Sequence, residues 1–207
     1  MQKKKKIFGK IVLLSILLCL VVTIVVGVFL INRHFPLHYV NIVNEHAEMF
    51  DLDPELIFAV IHAESRFNSN AVSRVGASGL MQIMEPTAYW LAPQIGLENF
   101  CYETQIFDPA INILIGTFYL RMLISRFDCV EVALAAYNAG TGRVNGWLSN
   151  PDYSIDGITL DYIPFSETRN YVDRVAFNQR IYRIMLKFSN PQIYSESQQT
   201  TYTPHLG

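Results

Sequence analysis

Hydrophobic and polar positions divide this chain into two regimes. From Ile11 to Ile31 it is apolar and carries no charge, and about 20 such residues cross a bilayer as a helix. Beyond Pro36 the apolar residues recur at intervals of three and four, the period of a helix with one buried face. Val40, Val43, Ala47 and Phe50 predict a helix over His38–Phe50. Asp53-Pro54-Glu55 reads as a helix start, with Asp53 able to cap free N–H groups, and Leu56, Ile57, Val60 and Ile61 give the next helix its buried face. A third helix is expected over Gly79–Leu91, with Pro86 in its path, followed by a loop from Gly96 to Asp108. Asp108-Pro109 opens a long helix through Phe127, its inner residues being Ile111, Leu114, Ile115, Phe118, Tyr119, Met122 and Leu123.

An Ala-rich helix follows over Val130–Tyr137, broken by Asn138–Gly142, with one more turn over Val144–Leu148. Asn150–Pro164 reads as a loop in which Tyr153–Ile163 could hide a small hairpin. Ser166 can cap a last helix through about Lys187, with Val172, Val175, Ala176, Gln179, Tyr182 and Met185 facing inward. The polar tail from Asn190 to Gly207 is expected to be mostly disordered. No alternating strand pattern competes, so the fold class is mainly α.

Charge decides the reading of the first segment. Lys3, Lys4, Lys5, Lys6 and Lys10 precede the apolar run, and such a cluster stays on the cytoplasmic side. A cleaved signal peptide would have a shorter apolar region ending at small residues, and Leu17-Leu18 before Cys19 is no lipoprotein cleavage site. The expected organisation is a cytoplasmic basic segment (1–10), an uncleaved single-pass transmembrane anchor in the cytoplasmic membrane (11–31), a linker (32–37), an extracytoplasmic domain (38–189) and the polar tail (190–207). Hydrophobic residues make up 51% of the chain and charged residues 16%, a balance that fits a membrane segment. The net charge of −2 gives no reason to expect nucleic acid as a partner. Cys101 and Cys129 could pair outside the cytoplasm or stand as free thiols. Of the five histidines only His34 and His38 approach ligand spacing, and just outside the membrane that pair reads as solvated, so no metal or other cofactor is implied.

Candidate chemistry centres on Glu64. It follows Val60 by four and Ile61 by three, so it projects from the apolar face near the end of its helix. Loss of water raises a carboxyl pKa above roughly 4.3, and an acid still protonated near neutral pH can give its proton to a leaving group. A surface Glu just past a core helix is the plainer alternative. Gly76, Ala77, Ser78 and Gly79 then form a small-residue stretch where an extended ligand could approach backbone. Gln82 stands polar among Leu80, Met81, Ile83 and Met84.

Four motifs, HAESRF, GASGLMQIM, AAYNAGTGRV and IPFSETRNYV, occur in that order between about His38 and Phe188. With them the chain resembles the soluble-lytic-transglycosylase (SLT) family of peptidoglycan-cleaving enzymes. The resemblance implies a lysozyme-like helical domain, preceded here by the N-terminal transmembrane helix. It implies cleavage of the β-1,4 MurNAc–GlcNAc bond of peptidoglycan strands without water, leaving 1,6-anhydro-MurNAc ends. Glycoside cleavage usually needs two carboxylates, but members of this family manage with one, which matches Glu64. Ser73 matches a substrate-contacting Ser, or caps a turn. Gln82 and Met84 match residues lining the groove, Met84 being equally suited to the core. Tyr137 and Asn138 match an aromatic and a polar groove residue, and a buried core tyrosine is the alternative for Tyr137. Glu167 matches an acid used in substrate binding, or it answers the helix dipole. The chain departs from the family in Met84-Glu85-Pro86-Thr87-Ala88, where Pro comes one place later. A hydrolytic muramidase like goose-type lysozyme, or a non-catalytic glycan-binding protein, are the competing readings. An acid on an apolar helix face favours an enzyme.

Overall fold

The computed structural model of the chain describes residues 2–189; the expected disorder of the 190–207 tail lies outside them. Contacts divide the chain into two units, Met1–Leu37 and His38–Gly207. The first contains one helix, α1 (Gln2–His34). Its stretch Val12–His34 has a mean hydropathy of 3.2 and none of it is buried, so α1 is long and apolar enough to cross a membrane.

The second unit is helical: α2 (Val40–Phe50), α3 (Pro54–Ser65), α4 (Glu85–Leu91) running into a 3-10 turn (Ala92–Ile95), α5 (Tyr102–Gln105), α6 (Pro109–Phe127), α7 (Val130–Ala139), α8 (Thr141–Leu148) and α9 (Ser166–Ser189). Among the described residues strand-like pairing is limited to single antiparallel bridges joining Val72 to Ser78 and Ser78 to Ile83. Helix α3 is the axis. It packs along α9 and against α2, while α6 joins α2 to α7 and α7 leans on α8 and α9.

The pattern predicts one buried face for α3, but every residue from Glu55 to His62 is buried. Phe58 and Ala59 fill the sides that Leu56, Ile57, Val60 and Ile61 leave, so the helix is covered all round. Asp53 takes the N-cap position, yet its side chain makes no capping bond. Glu55, 1% exposed, instead accepts a 2.9 Å hydrogen bond from Nε of Arg183 on α9. Asn178 donates to the Ala59 carbonyl at 3.4 Å, and Phe58 stacks on Tyr182 at 5.4 Å. These contacts hold the second and last helices of the domain together. On α9 the inner face includes Tyr171 and Asn178, and Ala176, Gln179 and Met185 are only half-buried.

Helix α6 starts as expected: the Asp108 carboxylate accepts from the N–H groups of Ala110 and Ile111. It also has the length and apolarity to span a membrane, but 44% of it is buried in the domain. Its buried face is rotated from the expected one, because polar Asn112 and Thr117 are fully buried alongside Ile113, Ile115 and Leu120.

The expected third helix is shorter than its apolar pattern. Residues 79–84 form turns, and α4 begins at Glu85. Gly79 and Gln82 both have positive φ (79° and 49°), which ends any right-handed helix. Pro86 therefore sits in the first turn of α4, where its missing N–H costs nothing. The later Pro of this chain is thus a helix start and not an interruption. Gly96–Asp108, expected as loop, contains α5, and α7 continues through Asn138 to Ala139 before Gly140 breaks it. The 153–163 segment forms no hairpin. The Asp161 carboxylate accepts from the Ile155 N–H and the Asp156 carboxylate from those of Ile158 and Thr159, so backbone pairs largely with side chains in place of a ladder.

Candidate active site

Glu64 lies in the last turn of α3. Arg66 and Phe67 then take left-handed φ of 52° and 65°, turning the chain sharply, and Phe67 folds back on Phe58 at 6.2 Å. Glu64 is thereby held half-buried against α7 and α9. Burial raises its pKa to about 7, and the Tyr171 hydroxyl and the Arg174 guanidinium moderate the rise by favouring the charged form. The buried Tyr171 hydroxyl acts on Glu64 as a hydrogen-bonding neighbour. Arg174 lies 5.9 Å over the Tyr171 ring. Tyr137 and Tyr171 are themselves held well above the ordinary tyrosine range, first by burial and then by the Glu64 charge. Both phenols therefore stay protonated.

The turn of residues 78–84 forms the wall beside them. Tyr137 donates to the Met81 carbonyl at 2.9 Å, and its ring meets Tyr119 at 5.2 Å. Gln82 donates to the carbonyls of Ala71 (3.1 Å) and Gly79 (2.8 Å), so its amide nitrogen closes the turn and its amide oxygen is left for other use. Behind the turn, Asn112 accepts from the Met81 N–H at 2.8 Å and donates to the carbonyls of Ser78 (3.1 Å) and Ile106 (2.8 Å). The turn comes so close to α6 that two positions have no room for a side chain. A Cβ at Gly79 would meet the Asn112 side chain and lie 2.8 Å from the Ile106 oxygen; one at Gly116 would lie 2.7 Å from the Met81 Cβ.

The structure thus gathers Glu64, Tyr137 and the 78–84 turn. Gln82 and Met84 belong to that turn and Asn138 follows Tyr137 on α7, while Ser73 and Glu167 lie on other segments. Ser73 is occupied in a turn, its Oγ accepting from the Ala77 N–H at 3.0 Å. Met84 is 39% exposed, which rules out a core role. Asn138 is half-buried and Glu167 exposed in the first turn of α9, one turn before Tyr171. Tyr171, Arg174 and Asn112 were missed. Tyr171 lies inside the IPFSETRNYV motif, and Asn112 is a lone polar residue between Ile111 and Ile113; those were the available signals. Among the described residues no three His, Cys, Asp or Glu side chains converge to hold a metal. Cys101 and Cys129 stand as free thiols.

The domain, helical among the described residues, has the lysozyme-like fold, its central helix ending in Glu64 beside two tyrosines and a glycine-closed turn. The chain belongs to the transglycosylase SLT domain family, which it matches over residues 41–156. The soluble lytic murein transglycosylase of Salmonella typhimurium is 38% identical over 155 residues, covering 74% of this chain and 24% of the relative. Membrane-bound lytic murein transglycosylase C of Shigella sonnei is 31% identical over 166 residues, covering 70% and 46%. The solved structure of an inactive Glu-to-Gln mutant of the lytic transglycosylase Slt from Pseudomonas aeruginosa superposes with a TM-score of 0.66 at 36% identity, covering 75% of this chain and 25% of that one. The chain therefore spans about a quarter of the length of the soluble relative and under half of the membrane-bound one.

Proposed function

We propose that the domain is a peptidoglycan lytic transglycosylase with Glu64 as its single acid and base. One observation carries this reading: burial keeps the Glu64 carboxyl protonated up to about pH 7, and the groups acting most strongly on it, Tyr171 and Arg174, are not carboxyls. A lone acid poised between its two forms near neutral pH can serve both halves of a reaction. Protonated Glu64 gives its proton to the glycosidic oxygen, and the bond from that oxygen to the MurNAc anomeric carbon breaks. Glu64, now a carboxylate, takes the proton of the same sugar's 6-hydroxyl, whose oxygen bonds to the anomeric carbon. The product is a 1,6-anhydro sugar, no water is consumed, and Glu64 ends protonated again. Gln82, Met84, Tyr137 and Asn138 would line the glycan site, with Ser73 and Glu167 at its margins.

The same reading places the domain outside the cytoplasmic membrane, tethered by α1. Support comes from the lysines before the apolar run, the length of α1, and a relative named as membrane-bound.

Mass analysis of muropeptides tests the reaction. The expected products end in 1,6-anhydro-MurNAc, lighter by one water than hydrolytic ends. Reducing-end MurNAc as the main product would make the protein a lysozyme. Glu64→Gln should fold, bind glycan strands and lose cleavage by at least about 10²–10⁴-fold; retained cleavage would remove Glu64 from the mechanism.

A further inference from the structure

We infer that Asn112 is a positioning residue: by fixing the Met81 carbonyl, it keeps the hydroxyl proton of Tyr137 turned away from Glu64. Asn112 is 0% exposed on α6 and makes three hydrogen bonds. Its Oδ1 faces the Met81 N–H, and its Nδ2 faces the Ser78 and Ile106 carbonyls. Those partners fix which end of the amide is which, because a flipped side chain would set oxygen against oxygen. The missing Cβ at Gly79 lets the amide sit against the turn. The next peptide plane, hinged to that one at the Met81 Cα, carries the Met81 carbonyl that takes the Tyr137 proton at 2.9 Å.

A phenol has one proton. While the Met81 carbonyl holds it, Tyr137 cannot donate to Glu64, and a donated bond would favour the carboxylate. Around Glu64, Tyr171 and Arg174 on α9 already favour the charged form. Tyr119 on α6 bears on Tyr137 and, like it, is held protonated by burial. With Tyr137 committed elsewhere, burial prevails and Glu64 stays an acid near neutral pH. Removing the Asn112 amide leaves the Met81 N–H and the Ile106 carbonyl buried without partners, at about 1–3 kcal/mol each, while the Ser78 carbonyl keeps the N–H of Ile83. The turn then shifts to satisfy them, and the Tyr137 hydroxyl is released toward Glu64.

The test uses the full chain in detergent micelles and follows the Glu64 carboxyl by carbon-13 NMR against pH, the signal being assigned by its loss in Glu64→Gln. Tyr137→Phe should leave the Glu64 midpoint in place, since its hydroxyl does not serve Glu64. Asn112→Ala should lower the midpoint by about one pH unit, and Asn112→Ala with Tyr137→Phe should restore it. A structural lock alone would cost stability in Asn112→Ala with the midpoint unmoved, and that result overturns the inference. A raised midpoint in Tyr137→Phe overturns it too, and decides the matter even if Asn112→Ala does not fold. The effect on rate rests on the proposed role of Glu64: the alkaline limb of cleavage should track the midpoint. Cleavage surviving in Glu64→Gln would sink that role and leave the titration result standing.

Discussion

Glu64 trades stability for chemistry. Its folded pKa is raised from 4.5 to about 7, so the folded state binds a proton that the unfolded chain has already released between those values. Its favourable contribution is complete below pH 4.5 and is lost as pH rises through 7. Above that the carboxylate sits half-buried at a cost on the order of 2 kcal/mol, discounted for the solvent at its rim. Gln does not titrate. Thermal melts should show Glu64→Gln more stable than wild type at pH 8, with the gain fading toward pH 4.5. A variant equally or less stable at pH 8 would mean the carboxylate is well solvated there. The spacing of Glu64 after Val60 and Ile61 made this residue legible from sequence. Tyr171 and Arg174 were not, because nothing local to α9 tells which of its residues face a helix a hundred positions earlier.

Among the elements, the joint between α3 and α9 is asymmetric. Glu55 is buried while the side chain of Arg183 is 49% exposed. Removing the arginine head strands a buried carboxylate, a loss of about 3 kcal/mol by comparison with broken buried pairs. Glu55→Gln leaves a guanidinium that water can solvate and should cost under about 1.5 kcal/mol. Denaturant melts of Arg183→Leu and Glu55→Gln would separate the two, and equal losses would contradict the asymmetry.

Glycines give a second contrast. Gly79→Ala forces a side chain into positive φ and onto Asn112 and Ile106, and should destabilise by several kcal/mol. Gly146 lies inside α8 with open space where its Cβ would go, so Gly146→Ala should stabilise by about 0.5–1 kcal/mol. These elements also show where the sequence was readable. Helix α6 announced itself through Asp108-Pro109, and α9 through its long inner face. The 79–84 turn did not, because its apolar residues fit a helix and its real shape is set by Asn112, 31 residues beyond Met81. The all-round burial of α3 was hidden similarly: periodicity shows which residues are apolar, not how many neighbours will cover them.

For the whole molecule, topology is the open quantity. Protease added to intact protoplasts should remove the domain and leave a short membrane-held fragment containing α1. A mature N-terminus beyond Ile31 would rule out an uncleaved anchor. Five residues separate α1 from α2.

The α3–α9 joint has a further consequence for how the protein is made and delivered. Its contacts link positions as far apart as Glu55 and Arg183, and both groups that moderate Glu64 lie on α9. During synthesis, the segment bearing Glu64 emerges about a hundred residues ahead of the helix that completes its surroundings. Until Ser166–Ser189 has arrived and docked, α3 is an apolar helix without its cover, and Glu64 is an ordinary hydrated carboxylate. Built in this order, the site acquires its raised acid only when the last helix is in place.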